Sequence, residues 1–456
     1  MEDLEFFVPL DASANFSDMG CFKTTTAEFL AEDIGAQRIL VVTSKTGKIT
    51  YEQTLPYVLG DIPVYRIESQ NTPPALGHTH HRREKAERGV FLAHYNLFTR
   101  RSAVAKAIRS ASFDLAILDE SHRIKNRNAQ CSQQLWYIKA DVRHIMTGSP
   151  YVNDPSDLWS QIRFLTKDMP GFWEFASYFC EFDVDDEESV RRGYRKIIGI
   201  NQEHKQELKD LIYSFARRRT KREVFPELPP KIRYTHEVSL NRVQQRMYNE
   251  IKAELMSLDQ AGVPFYSPNV LSALSRLRQI TAATPQVRGR RWLEREERWV
   301  YDIELIEPSS KLDAVMDVLA DTTNPVVIFY QHRDTGKLLN RRLERASVSY
   351  HNMLERDSEQ VRLSKVNSFQ RGNAKVFHCT AALGSESITL TRADSAIFVD
   401  RAWTPKDNNQ AEDRVHRPGQ TLPTNIVDIY ARGTIDGYVR AKVARKQGWF
   451  KEIFQV

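Results

Sequence analysis

The chain has 456 residues, 41% of them hydrophobic and 10% aromatic, which is too long for one ordinary core and predicts two or three globular domains. Lysine plus arginine exceed aspartate plus glutamate by 65 to 59, and the resulting charge of +6 permits an anionic partner without identifying one. Four scattered cysteines, Cys21, Cys131, Cys180 and Cys379, form no CxxC pair, which argues against a zinc site or a disulfide framework.

The chain starts MEDLEFFVPLD, acidic where a signal peptide is basic, and no stretch reaches the roughly 18 apolar residues of a membrane span. A soluble, cytoplasmic protein with no membrane partner is therefore expected. A first strand is expected just ahead of SDMGCFKTTTA. A phosphate cradle needs backbone N–H groups converging at a helix N-terminus, a lysine for the β- and γ-phosphates and a hydroxyl for Mg²⁺. Gly20, Cys21, Lys23, Thr24 and Thr25 meet that description, with Thr24 as the Mg²⁺ hydroxyl. Against the pattern G-x-x-x-x-G-K-[ST], Ser17 and Phe22 stand where glycines belong. Phe22 is the weightier departure, because glycine there turns the chain without a Cβ penalty and lets phosphate approach closely.

RILVVT, GVFLAHY, FDLAILDE and VRHIMTGSP follow, each short, β-prone and succeeded by polar residues. That is the pattern of buried parallel strands with functional loops at their C-terminal ends. FDLAILDE ends in Asp119, suited to holding Mg²⁺ through water, and Glu120, suited to orienting or deprotonating an attacking water. Thr147, Gly148 and Ser149 form a turn after the next strand. The texture then becomes helical over Asp157 to Phe179, Gln202 to Arg219 and Asn241 to Asp259, interrupted by a charged surface excursion, EFDVDDEES with VRRGYRK. PELPPK, from Pro226 to Lys231, marks a boundary that helices cannot cross.

VRGRRWLEREERWVYD is expected as an exposed hairpin or helix whose arginines and tryptophans suit nucleic acid, and Ser309 or Ser310 as the cap of the next helix. The strand rhythm returns in PVVIFYQH, AKVFHCT, SAIFVDRA and NIVDIYA. The predicted fold class is thus α/β, two parallel-sheet lobes at 1–165 and 305–456 with helical insertions and a linker at 166–304. Near the end, QAEDRVHRPGQ places Arg414 and Arg417 three apart, on one helix face, where both reach a single polyanion such as a terminal phosphate.

In order and content these motifs resemble the Swi/Snf-type ATPases of helicase superfamily two, over nearly the whole chain. The resemblance rests on Asp18, Met19 and Gly20 in the phosphate loop, DESHRIKN, TGSPYVNDPSDLW, FARRRTKREVFPELPPK, TAALGSESITLTRADSAIFVDRAWTP and QAEDRVHRPGQ. The compact size is similar to bacterial or phage members. The resemblance implies two RecA-like lobes, ATP with Mg²⁺, and Gln410, Arg414 and Arg417 acting with Glu120 in catalysis, the arginines as fingers on ATP. It further implies that Thr147, Gly148 and Ser149 couple hydrolysis to movement, and that Arg218, Arg219 and Lys221 support interlobe geometry or approach nucleic acid. Gly384, Ser385, Glu386 and Ser387 replace a more glycine-rich run, and Trp403 either touches DNA or packs internally.

Loop residues Lys45, His94, Tyr95, Asn96, Gln331, His332, Thr391 and Arg392 are the candidate contacts to the phosphodiester track, which carry no sequence information. The family's glutamine-bearing adenine segment has no counterpart in the 19 residues before Gly20. The implied function is an ATP-driven translocase on double-stranded DNA, with single-stranded or branched DNA as further substrates, associated with DNA in a bacterial or phage-infected cell. A strand-separating helicase and a nucleic-acid-binding protein whose ATPase is impaired at Phe22 stand as alternatives.

Overall fold

The computed structural model describes residues 2–69, 76, 87–183, 196–260, 268–293, 298–384 and 388–454. Its strands, in chain order, are β1 (Ala12–Asn15), β2 (Arg38–Thr43), β3 (Val64–Arg66), β4 (Gly89–His94), β5 (Ser112–Asp119), β6 (Lys139–Met146), β7 (Cys180–Phe182), β8 (Ile197–Ile200) and β9 (Ala216–Arg217). They continue with β10 (Lys231–Val238), β11 (Thr284–Leu293), β12 (Arg298–Ile306), β13 (Val326–Tyr330), β14 (Tyr350–Met353), β15 (Val376–Thr380), β16 (Ser395–Phe398) and β17 (Thr424–Ala431). Two parallel sheets dominate: a seven-stranded one in the order β3-β4-β2-β5-β6-β1-β9, and a six-stranded one in the order β10-β17-β16-β13-β15-β14. The predicted α/β class with two parallel-sheet lobes is the observed one.

The chain divides into two compact units, Met1–Pro226 with Lys446–Val456, and Glu227–Arg445. The division falls at the head of PELPPK, where proline interrupts regular structure. The helical stretch expected at 166–304 is shared out. Helices Phe172–Phe179 and Lys205–Phe215 belong to the first unit, Arg242–Gln260 and Pro268–Ala282 to the second. The described parts of VRGRRWLEREERWVYD, residues 287–293 and 298–302, belong to the antiparallel pair β11·β12, with Trp292 opposite Trp299. Most of the EFDVDDEES and VRRGYRK excursion lies outside the described residues.

Alternation explains why these strands are buried on both faces. Leu40 and Val42 of β2 enter one core cluster, while Ile39 and Val41 enter another on the opposite face. In β13, Val326, Ile328 and Tyr330 face one cluster and Val327 and Phe329 the other. The helix after β12 is capped by Ser309, whose Oγ accepts the Leu312 N–H at 3.1 Å, while Ser310 Oγ accepts the Asn241 N–H at 2.9 Å. Of the two predicted caps, Ser309 holds the role. Among the described residues no helix is long and apolar enough to cross a membrane.

Candidate functional site

β1 runs parallel to β6 and leads through Phe16–Phe22 into the helix Lys23–Asp33. This strand–loop–helix order puts the helix N-terminus, with its uncommitted N–H groups, at the C-terminal edge of the sheet. Gly20 turns the loop at φ 83°, and Lys23 Nζ donates to the carbonyls of Ser17 and Asp18, both at 2.8 Å. Phe22 is the N-cap, at φ 53° and ψ 25°, and makes no side-chain cap bond. It has the left-handed backbone that the glycine pattern calls for, at a cost of about 1–2 kcal/mol for a residue with a Cβ. Its ring is 57% exposed and lies 5.5 Å from that of Phe225, so the loop is turned rather than broken.

A pair of substitutions isolates that strain. Phe22→Ala keeps the strained backbone and loses the ring contact, whereas Phe22→Gly loses the contact and relieves the backbone. Phe22→Gly is expected to be more stable than Phe22→Ala by about 1 kcal/mol in urea unfolding. Equal midpoints would remove the strain assignment.

Asp119 ends β5, which pairs with β6, the neighbour of β1, and Glu120 follows it directly. Thr43 Oγ1 donates to Asp119 Oδ2 at 2.7 Å, and the Tyr95 hydroxyl donates to the Asp119 carbonyl at 2.7 Å. Burial, followed by the neighbouring charge of Glu120, pushes the Asp119 carboxyl up to about 6. Gly47, at the start of the helix Lys45–Leu59, has no room for a side chain, because a Cβ there would lie 2.0 Å from the same Thr43 Oγ1.

Glu120 itself is left-handed, at φ 56°, which turns its side chain out of the strand direction. Its Oε2 lies 3.2 Å from His122 Nδ1, and that nitrogen is 3.0 Å from Thr147 Oγ1. The TGS turn closes the set. The Ser149 N–H donates to Thr147 Oγ1 at 3.1 Å, the Thr147 N–H donates to the Asn15 carbonyl at 3.0 Å, and a Cβ on Gly148 would meet Met19 Cγ at 3.3 Å. Lys23's loop, the Asp119–Glu120 pair and Thr147–Ser149 are therefore adjoining parts of one site in the first unit.

The RRRTK segment is bonded to the phosphate loop and the N-terminal helix of its own unit. The Phe16 N–H donates to the Arg217 carbonyl at 2.8 Å and the Asp18 N–H to the Arg219 carbonyl at 2.9 Å, extending the β1·β9 pairing along the loop. Arg218 Nη2 donates to Asp18 Oδ1 at 2.8 Å, and the Lys221 N–H to Asp18 Oδ2 at 3.1 Å. Arg219 pairs with Glu2 at 2.7 Å and Asp3 at 3.1 Å in the N-terminal helix Glu2–Phe7. Two of these three basic groups, Arg218 and Arg219, thus have their cationic ends spent on carboxylates within their own unit, and Lys221 is tied to the same loop through its backbone.

In the second unit Gln410 is buried in the helix Pro405–Glu412, but Arg414 and Arg417 lie beyond that helix, in successive turns. The shared helix face is therefore corrected. Asp413 caps the helix, the Arg414 and Val415 N–H groups tighten to i−3 bonds at 3.2 and 3.1 Å, and Pro418 disfavours a helical Arg417. Gly419 at φ 96° then completes a turn in which the Gln420 N–H donates to the Arg417 carbonyl at 3.0 Å. The two arginines still converge, on one stretch of chain. Arg414 Nε donates to the Gly384 carbonyl at 3.0 Å, and Arg417 Nη1 donates to the Ile388 carbonyl at 3.1 Å and Thr389 Oγ1 at 2.9 Å. Ser385, Glu386 and Ser387 lie outside the described residues.

The SNF2-related domain family matches residues 35–285, and the helicase conserved C-terminal domain family matches residues 310–419. The chain belongs to the SNF2-related family. This SNF2-related chain is 27% identical over 372 residues to chromodomain-helicase-DNA-binding protein 8 of Danio rerio, covering 76% of this chain and 14% of that protein. It is 26% identical over 375 residues to protein CHROMATIN REMODELING 24 of Arabidopsis thaliana, covering 74% and 34% respectively. It therefore spans only between about a seventh and a third of these relatives. Among solved structures it is similar to the Sulfolobus solfataricus SWI2/SNF2 ATPase core in complex with dsDNA, at 22% identity and a TM-score of 0.41, covering 99% of this chain and 91% of that one.

The expected DNA contacts of this SNF2-related chain are placed unevenly. Lys45 opens its helix, and its side chain lies outside the described residues. His94 Nδ1 accepts the N–H of exposed Asn96 at 3.0 Å. Tyr95 is a correction: at 4% exposure, with its hydroxyl on Asp119, it braces the carboxylate strand instead of facing outward. Gln331 and His332 follow β13, and their Nε2 atoms are buried with no partner among the described residues. Burial holds the His332 imidazole below its ordinary range.

Arg392 is a second correction. Its Nη1 donates to the carbonyls of Phe369 at 3.1 Å and Ala374 at 2.6 Å, closing the C-terminus of the helix Glu359–Gln370, a favourable place for a cation. Thr391 Oγ1 accepts from Gln370 Nε2 at 3.2 Å. Trp403 packs against the Leu240 cluster, with Arg278 5.1 Å and Lys442 5.6 Å from its ring.

The sequence reading overlooked Glu412, the acidic residue of QAEDR. It lies between Lys231 at 3.2 Å, Arg233 at 2.7 Å and Arg401 at 2.8 Å. Burial alone would raise its carboxyl, but Lys231, Arg401 and Arg233 outweigh that and hold it well below the usual carboxylate range. It also overlooked Lys311, fully buried between Asp400 and Asp436, each at 2.7 Å. The only signal available was the opposite signs of charge on separate strands and helices, which pair only once the sheet forms.

Proposed function

We propose that this chain is an ATP-driven motor that moves along double-stranded DNA, hydrolysing ATP with Mg²⁺ as the accompanying ion. The observation that carries this reading is the linkage of three motifs in the first unit, in which His122 stands between Glu120 and Thr147 while Gly148 rests on the Lys23 loop. A change at the nucleotide's terminal phosphate then has a short mechanical route into the TGS turn, which suits coupling of hydrolysis to movement.

Gly20, Cys21, Thr24 and Thr25 supply backbone N–H groups to the phosphates, and Lys23 exchanges its two loop carbonyls for the β- and γ-phosphates. The donor set fits Mg²⁺, since Thr24 offers a hydroxyl and Asp119 a buried carboxyl whose raised pKa a divalent charge relieves. When bound, the ion neutralises charge on the phosphates. Glu120 orients the attacking water, and Arg414, Arg417 and Gln410 are the further residues proposed for catalysis, the arginines as fingers on ATP. Asn96, His94, Lys45, Gln331, His332, Thr391 and Trp403 remain the proposed contacts to the DNA backbone. The cellular setting proposed is DNA-associated, in a bacterial or phage-infected cell.

The deciding measurement is ATP turnover with no DNA, duplex, single-stranded and branched DNA. Duplex is expected to stimulate severalfold, and the stimulated enzyme to displace a triplex strand. Turnover indifferent to all DNA would overturn the motor reading. Displacement of one strand of a plain duplex would favour the unwinding helicase, and DNA binding without turnover would favour an ATPase impaired at Phe22.

The pH dependence has a definite sign. Asp119 must be ionised to hold Mg²⁺, and its carboxyl titrates near 6, so Mg²⁺ affinity is expected to fall as pH drops through 6, approaching about tenfold per pH unit. Half-saturation by Mg²⁺ at pH 5 and at pH 7.5 checks this, and equal values would remove Asp119 from the ion site.

A further inference from the structure

The geometry points to Arg218 as a positioning residue for the phosphate loop, acting through Asp18. This rests on the ATPase reading above and goes beyond it, since it assigns a basic residue of the RRRTK segment to nucleotide affinity rather than to DNA. Asp18 is the node. Its carbonyl accepts Lys23 Nζ at 2.8 Å, its N–H is held by the Arg219 carbonyl at 2.9 Å, and its carboxylate accepts Arg218 Nη2 at 2.8 Å and the Lys221 N–H at 3.1 Å. Arg219 fixes the preceding residue as well, because its N–H donates to Ser17 Oγ at 3.0 Å. The two carbonyls that hold Lys23 are therefore on residues whose side chains are both tied to the RRRTK segment.

Arg218 is itself held from behind. Its side chain is 6% exposed, its Nη1 donates to the Phe454 carbonyl at 3.1 Å, and its guanidinium carbon lies 5.2 Å from the centre of the Phe450 ring. The Phe454 ring in turn packs edge-on against Phe16, 5.7 Å away, at the foot of the same loop. All of these residues belong to the first unit. A planar fork that bonds a carboxylate on one side and a carbonyl on the other fixes the Asp18 carboxylate in direction as well as charge, which a lysine cannot do. The consequence is a loop whose carbonyls are set before nucleotide arrives, so that Lys23 is presented at one place.

The test compares Arg218→Ala, Arg218→Lys, Asp18→Asn and the Asp18→Asn/Arg218→Ala pair in the full chain. The readouts are affinity for a fluorescent ATP analogue, KM and kcat for ATP, duplex-DNA affinity and the melting temperature. Arg218→Ala is expected to weaken ATP binding and raise KM by about tenfold at nearly unchanged kcat and DNA affinity. Arg218→Lys should fall between, and the pair should be no worse than Arg218→Ala alone, because both act on one link. A lower melting temperature with unchanged KM would show a merely structural arginine and overturn the proposal, as would lost DNA affinity at normal ATP affinity. A wild-type chain that binds no ATP would remove the ATPase reading and this one together, whereas a wild type that binds ATP with Arg218→Ala equal to it would remove this one alone.

Discussion

Glu120→Gln is expected to lower ATP turnover by about 10²–10⁴-fold while leaving ATP binding close to wild type. Glutamine has nearly the same size and can keep a hydrogen bond toward His122, so the left-handed backbone at φ 56° and the Thr147 link have no reason to rearrange. What is lost is the negative charge proposed to orient and polarise water. Lys23→Ala should differ in kind, because it removes the cation proposed to meet the phosphates and is expected to weaken binding as well as turnover. Single-turnover hydrolysis beside analogue binding separates the two effects. A Glu120→Gln variant that hydrolyses ATP at the wild-type rate would move the water-activating role to another residue.

Arg417→Ala should lower kcat by at least about 10³-fold with little change in melting temperature. Its side chain is only partly buried and its partners are the Ile388 carbonyl and the Thr389 hydroxyl, which water can replace. Burial draws its pKa below the ordinary arginine value, yet an arginine so placed remains charged. Arg414 should behave differently. It is 3% exposed and its Nε serves the Gly384 carbonyl, so Arg414→Ala leaves a buried acceptor unsatisfied and should cost about 1–3 kcal/mol of stability besides activity. Arg417→Lys is not expected to restore turnover, since a compact ammonium lacks the planar fork. Paired measurements of kcat and of thermal unfolding test both expectations, and an Arg417→Ala enzyme with normal kcat would exclude it as a finger.

Much of this fold was legible in advance where burial is two-sided. RILVVT, FDLAILDE and PVVIFYQH announce themselves because a strand covered on both faces must be apolar throughout, and these became β2, β5 and β13. β1, with the sequence ASAN, and β10, exposed along most of its length, carry no such signature. Their strand state comes from the neighbours that pair with them, β6 and β17. Phe22 was visible as a departure from the glycine pattern, and its positive φ is the conformation that the missing glycine would have taken.

The sequence by itself determined the class of fold, the order of the motifs and the residue types able to meet phosphate, metal and water, because those depend on local pattern and side-chain chemistry. Tertiary structure decided which charges cancel inside the protein. Arg218 and Arg392 looked available to a nucleic acid, and each is consumed by a partner far away in sequence or at a helix end that only folding creates. It also decided that Arg414 and Arg417 meet through turns and not along a helix, since a proline after Arg417 and the capping of the helix at Asp413 outweigh the spacing of three. Spacing along a chain specifies a shared face only while one helix persists, and where it ends is set by backbone hydrogen bonds that residue order alone does not display.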